Sequence, residues 1–249
     1  MSDSAVAIVS IDNPSARNSL DDRARRALLA DLASAQSDPD VRVIVLHGEG
    51  GHFCAGGELR SMPTEPHLAR ARMGEMHTIL RLVVEGPKPV LAAVEGSAYG
   101  SGMALASACD VVVAGQSAIF GCTFGRVGLA PDTGLAWTLA RRLGHVPARR
   151  VLLGGMVLKR DRAAELGLVD VSVPDGEALS SASAEARRMA AAAPLATAGV
   201  RALVAGASTG LTEFLDLELS VQTNLLASDD FREGRTAFFD RRPPVFSGR

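Results

Sequence analysis

Two glycine-rich loops and one aspartate hold the residues best suited to chemistry in this chain of 249 residues. The first loop, residues 96–110 (GSAYGSGMALASACD), places three glycines within seven residues directly after an apolar run. A strand that enters such a turn and leaves it as a small-residue helix aims free backbone N–H groups at whatever sits in the turn. Those groups suit a carbonyl oxygen acquiring negative charge, or a phosphate; glycine clusters equally mark tight helix–strand packing. The second loop, residues 47–60 (HGEGGHFCAGGELR), also follows an apolar run and is a second source of free N–H groups. The aspartate is Asp132, inside APDTG, and by residue type alone it is at least as well read as the cap of a helix starting near Thr133. His47 and His52 with Cys54 are the residue types of thioester cleavage by a thiolate, but cysteine is more commonly a small buried residue. Tyr99 is either a hydrogen-bond donor beside the first loop or a packing residue.

Strands must end at both loops to position these groups. Residues 6–11 read as a first strand, closed by Asn13-Pro14, after which Asp21 and Asp22 open a helix with Leu20, Ala24, Leu28 and Leu32 at helical spacing. Residues 41–46, 89–94, 110–114 and 118–120 read as further strands. A helix over 67–84 carries Leu68, Met76, Ile79, Leu80 and Val83 on its apolar side and stops at Pro87 and Pro89. Residues 136–143 and 158–166 read as helices, and 168–173 as the last strand. From 177 to 239 the pattern is helix upon helix, alanine-rich to 193 and leucine-rich over 211–226. The composition shift over 175–194 divides the chain into a core, residues 1–190, and a helical region, residues 191–249. Short strands alternating with helices, followed by a helical tail, describe an α/β fold with a C-terminal helical appendage.

Composition narrows the function classes. A 47% hydrophobic chain buries a full core, and a net charge of −2 argues against a nucleic-acid surface, while local arginines remain able to hold a small phosphorylated ligand. Cys54, Cys109 and Cys122 are odd in number and lack metal-type spacing, so no disulfide framework and no metal site is expected. The acidic N-terminus and the lack of a membrane-length apolar stretch lead to the expectation of a cytoplasmic protein without membrane contact.

Several separated motifs coincide in order and spacing: NPSARNSL (13–20), HFCAGGEL (52–59), AAVEGSAYGSGMALASACD (92–110), VGLAPDTG (127–134) and EGRTAFFDRRPPVF (233–246). Together they resemble the enoyl-CoA hydratase/isomerase family, the crotonases, over nearly the whole chain. The resemblance implies a spiral of ββα units with a C-terminal helical trimerisation region. It also implies an acyl-CoA thioester substrate, a homo-trimer or hexamer, and no cofactor beyond the CoA moiety of the substrate. The backbone N–H groups implied to hold the thioester oxygen fall at Gly57 and Ser101, where side-chain identity is expected to matter little. Arg17, Ala55, Arg60, Phe231 and Arg242 fall at positions implied to bind substrate or CoA, and guanidinium groups match phosphate oxygens well.

The chain also departs from that pattern. Family hydratases use two glutamates, and the matching positions here are Ala104 and Phe124, neither of which transfers a proton. Asp132 remains, at a position resembling the one that carries a base in family isomerases and a nucleophile in the dehalogenase branch. Phe124, Leu129 and Trp137 are expected to give it an apolar neighbourhood. Glu58, after Gly57, reads as an orienting or solvated carboxylate. The expectation is therefore an enoyl-CoA isomerase with Asp132 as acid/base. A hydratase with a non-standard acid/base, nucleophilic catalysis by Asp132 and a non-catalytic acyl-CoA-binding protein stay open.

Overall fold

The computed structural model describes residues 5–249, so the first four residues of the acidic N-terminus lie outside it. The strands β1 (Val6–Ile11), β2 (Val43–Gly48), β3 (Val90–Val94), β5 (Val111–Gly115) and β8 (Val171–Val173) lie side by side in that order, all parallel. A smaller sheet pairs β4 (Ser97–Tyr99) with β6 (Ile119–Gly121) in parallel, and β6 with β7 (Val157–Lys159) antiparallel. Two single bridges, Leu20 with Gly57 and Cys54 with Ala98, add extended segments in the same manner.

A repeat follows from this pairing. Each unit sends one strand to the main sheet and one short segment to a bridge or the small sheet, and then forms a helix: α1 (Asp22–Ser37), α2 (Pro66–Val84), α3 (Ser101–Ala108) and α4 (Leu135–Leu143). Asp21 starts α1 as its N-cap, accepting from the Ala24 N–H at 2.7 Å. Pro66 opens α2, where its missing N–H costs nothing.

Alternation along the central strands sorts the core. Ile44, Leu46, Val90, Ala92 and Val94 face the main core with Leu28, Ile79 and Met103, whereas Val43, Val45, Leu91 and Ala93 face the other side. That second face is covered by α7 (Ala178–Met189), whose Ala178, Ala182 and Ala186 recur every four residues. The alanine-rich composition is thus a contact stripe that lets a helix lie close on the sheet.

Residues 158–166 are not one helix. Val157–Lys159 is β7, with Leu158 buried between two exposed neighbours, and α6 covers only Arg160–Glu165. A three-residue strand merges into the following helical pattern because it is shorter than either period. The chain also forms α5 (His145–Leu153), which tolerates Pro147 in its first turn. The last strand starts at Val171 rather than 168.

Beyond α7 come α8 (Pro194–Gly206), α9 (Leu211–Ala227) and α10 (Asp229–Asp240). No residue of α9 is buried in the single chain, and Leu211, Leu219, Phe238 and Phe239 are all more than two-thirds exposed. Among the described residues, no single helix is long and apolar enough to cross a membrane.

Candidate functional site

The two glycine-rich loops run alongside each other. Cys54 N–H donates to the Ser97 carbonyl at 2.9 Å and Tyr99 N–H to the Cys54 carbonyl at 2.9 Å, the ladder of a parallel bridge. Further along, a Cβ added at Gly56 would lie 2.8 Å from the Tyr99 carbonyl oxygen and 3.6 Å from Gly100 Cα, so the two backbones touch. Gly57 and Ser101 are the next residues on each strand of this contact. Neither N–H has a backbone acceptor among the described residues. Ser101 opens α3, where the first N–H groups have no intrahelical partner, and Gly100 makes the turn with φ of 52°. The Leu20 bridge uses the N–H of Glu58 and the carbonyl of Gly56, which leaves the Gly57 N–H unused.

Asp132 reaches the same place. Its Oδ1 accepts from Thr133 Oγ1 at 3.0 Å and from Ser101 Oγ at 3.4 Å. It does not cap a helix, because the N-cap of α4 is Gly134, without a side-chain bond. The Ser101 side chain therefore matters more than its place as an N–H donor suggested, since its hydroxyl reaches the Asp132 carboxylate.

The expected apolar neighbourhood of Asp132 is not formed as a whole: Leu129 is 44% exposed. The Phe124 ring stands 3.5 Å from the position of a Gly100 Cβ, over the turn, and Ala104 is fully buried. Trp137, however, is half exposed with the Arg141 guanidinium stacked 4.7 Å from its ring centre, and is no part of an apolar wall at Asp132. It lines a cavity of about 770 Å³ between α4 and α8, at the other end of α3 from Ser101. Glu58 is engaged as well: its carboxylate accepts from the Ser61 N–H at 2.6 Å, capping the 3₁₀ turn Leu59–Ser61. Partial desolvation opposes ionisation, but the N–H groups of Arg60 and Ser61 and the Arg60 charge outweigh it and hold Glu58 below the usual carboxylate range.

The geometry speaks against a Cys54 nucleophile. Its thiol is fully buried, which pushes it up to about 12, and its hydrogen-bond partner is the Gly56 N–H at 3.4 Å. His52 Nδ1 faces Ser97 Oγ at 3.1 Å, and His47 faces Glu49 at 3.6 Å. Tyr99 packs its ring on Gly121.

The residues expected to bind CoA fall into two groups. Arg17, Ala55 and Arg60 border the Gly57 loop: the Ala55 N–H donates to the Arg17 carbonyl at 2.9 Å, and both guanidinium groups belong to exposed residues. Phe231 and Arg242 lie on α10 and just beyond it. Arg242 is paired with Glu233 at 2.6 Å, which holds that carboxyl down at about 2, and Arg235 lies over the Phe231 ring at 5.8 Å. No hydrogen bond among the described residues joins this second group to the Gly57 loop.

Three contributors were missed in the sequence. Asn18, buried and left-handed at φ of 59°, donates to the carbonyls of Glu49 at 2.7 Å and His52 at 2.6 Å, tying the NPSARNSL segment to the Gly57 loop. Arg72 on α2, nine-tenths buried, donates to the Leu20 carbonyl at 3.2 Å, and its Nη2 lies 2.8 Å from where a Gly57 Cβ would be. Burial and the nearby Arg25 push the Arg72 guanidinium below its ordinary value, while the charges of Asp22, Asp132 and Glu58 act the other way. Thr133 is the third. Asn18 and Thr133 lie in quoted motifs, NPSARNSL and VGLAPDTG; Arg72 does not, and an arginine on the polar side of an amphipathic helix gives no sequence signal of burial.

Compared with known families, residues 1–249 match the model described as Enoyl-CoA hydratase/isomerase. A probable enoyl-CoA hydratase of Rhodobacter capsulatus is 39% identical over 98% of this chain and 95% of its own length. A 1,2-epoxyphenylacetyl-CoA isomerase of Escherichia coli is 32% identical over 98% and 95%. Among solved structures, an enoyl-CoA hydratase from Polaromonas superposes with a TM-score of 0.92 at 36% identity, covering 99% of this chain and 98% of that one.

Proposed function

The chain belongs to the enoyl-CoA hydratase/isomerase family, with the crotonase fold, and from that premise we propose that this acyl-CoA enzyme moves a carbon–carbon double bond, converting a 3-enoyl thioester to its conjugated 2-enoyl form. The observation that carries this reading is the Asp132 carboxylate beside Ser101, with no carboxylate at positions 104 and 124. The Asp132 carboxylate takes the proton as the α-carbon C–H bond breaks, and the electron pair moves toward the thioester oxygen. The N–H groups of Gly57 and Ser101 hold that oxygen, each donor supplying about 3–4 kcal/mol to the charged transition state. The same carboxyl then returns the proton to the γ-carbon, and the double bond arrives in conjugation. One acid/base group suffices, and no cofactor beyond the substrate's CoA is needed.

Hydration, by contrast, needs a second group to position water, and Glu58 is occupied at Ser61. Arg17, Ala55 and Arg60, which border the Gly57 loop, are proposed to hold the CoA moiety. Phe231 and Arg242 are proposed to act on it across a subunit boundary. The exposed apolar residues of α9 and α10 support self-association, which is proposed to give a homo-trimer or a hexamer; a cytoplasmic setting is proposed as well. Sedimentation equilibrium is expected to give a multiple of three chains; a monomer would count against the proposed site of Phe231 and Arg242.

Ultraviolet detection of conjugation tests the reaction. Asp132→Asn is expected to lower kcat on a 3-enoyl-CoA by about 10²–10⁴-fold while acyl-CoA binding, measured by calorimetry, persists. Full turnover by that variant would remove Asp132 from the mechanism, and faster turnover of a 2-enoyl-CoA by the wild type would favour hydration.

A further inference from the structure

Residues 132–135 form a type I′ turn. The Leu135 N–H donates to the Asp132 carbonyl at 2.9 Å, and both central residues are left-handed, Thr133 at φ of 50° and Gly134 at 69°. Such turns favour asparagine, aspartate or glycine at the first central position, because a β-branched side chain is crowded there. Thr133 breaks this rule while completely buried. Its hydroxyl lies 3.0 Å from Asp132 Oδ1 and 3.3 Å from Ser101 Oγ, and its single proton goes to the nearer of the two. The Ser101 hydroxyl adds a second, longer bond to the same Oδ1 at 3.4 Å. Asp132 Oδ2 has no protein partner in these contacts.

We propose that Thr133 is a positioning residue, held in a strained turn so that its hydroxyl fixes Oδ1 of Asp132 and leaves Oδ2 as the oxygen that carries the proton. This rests on Asp132 being the acid/base of the reaction. A local rule broken at a buried position, with the offending side chain bonded to the reactive group, is what a strained functional turn looks like. Threonine at this position supplies a donor that glycine lacks and a short reach that asparagine lacks. With Oδ1 fixed, the carboxylate keeps one orientation while the proton moves between two carbons of the substrate.

Four variants test this, with kcat, KM and Tm measured on each. Thr133→Val keeps the branched shape and loses the hydroxyl, so kcat is expected to fall about 10- to 100-fold with KM little changed. Thr133→Ser restores the donor and is expected to recover most of that loss. Thr133→Gly relieves the backbone but also removes the hydroxyl and empties a completely buried site, so kcat is expected to fall as in the valine variant. Asp132→Asn is the reference for loss of the base. Loss of kcat in both Thr133→Val and Thr133→Gly, with recovery in Thr133→Ser, supports the proposal. Wild-type turnover lost in Asp132→Asn but kept in Thr133→Val overturns it alone. A wild type that converts no 3-enoyl-CoA, or an Asp132→Asn variant with full turnover, overturns this proposal together with the assignment of the base.

Discussion

The loops that end in Gly57 and Ser101 present the same chemical group and hold it by different means. Ser101 is the first residue of a helix whose first seven positions are all buried, and its loop is flanked by β4 and β6 of the small sheet. Gly57 lies where regular structure is about to lapse, followed by an exposed 3₁₀ turn, and its loop is tied mainly by distant groups: Asn18, the Arg17 carbonyl, Leu20 and Arg72. One donor takes its direction from secondary structure and the other from braces. A helix N-terminus fixes an N–H without help, whereas a loop needs partners for each unpaired group around it. The comparison assigns rigidity to Ser101 and adjustability to Gly57.

Between the two loops, the larger expected effect comes from removing the rigid donor. Proline is tolerated in the first helical position, so Ser101→Pro deletes the N–H while α3 stays intact. Ser101→Ala removes the hydroxyl and keeps the N–H. The proline variant is expected to turn over about 10²–10³-fold more slowly than the alanine variant, with circular dichroism confirming that both are folded. Equal rates would show that the Ser101 N–H adds nothing to turnover, and would break the equivalence of the two loops.

The same difference sets what was legible in the sequence. The strand–glycine–helix pattern at 96–110 announces itself because local periodicity and turn chemistry agree there, whereas Asp132 stands out from a helix cap only through the resemblance of its position to that of family isomerases. Most core strands are found within a few residues, since Val, Ile and Leu alternate or run together where the sheet is covered on both faces. The braces of Gly57 are another matter. Asn18 and Arg72 act through contacts spanning 31 and 52 positions in the chain, and nothing within a local window marks them. Trp137 shows a related limit: it is close to Asp132 in sequence, yet α4 turns it toward α8. The strain at Thr133 is equally hidden, because threonine next to glycine carries no sign of φ.

Arg72 gives the sharpest probe of the braced loop. Its bond to the Leu20 carbonyl is a charge-assisted one, worth about 1.5–3 kcal/mol, but its Nη1 is buried without a hydrogen-bond partner, a cost of about 1–3 kcal/mol, and its ion pair with the exposed Asp22 at 3.9 Å adds little. In Arg72→Met all of these disappear, so the first two contributions nearly cancel and Tm is expected to move little. Local order is where the change must appear. Leu20 keeps its bonds to Gly56 and Glu58 but loses the guanidinium that holds its carbonyl in place, so the amides of residues 56–61 are expected to exchange about tenfold faster, with those of 102–106 unchanged. Turnover is expected to fall by a similar factor as the Gly57 N–H loses its direction. Equal acceleration of exchange in both segments would mean that Arg72 supports the fold as a whole; no acceleration in either would mean that the bridge to Leu20 holds Gly57 unaided.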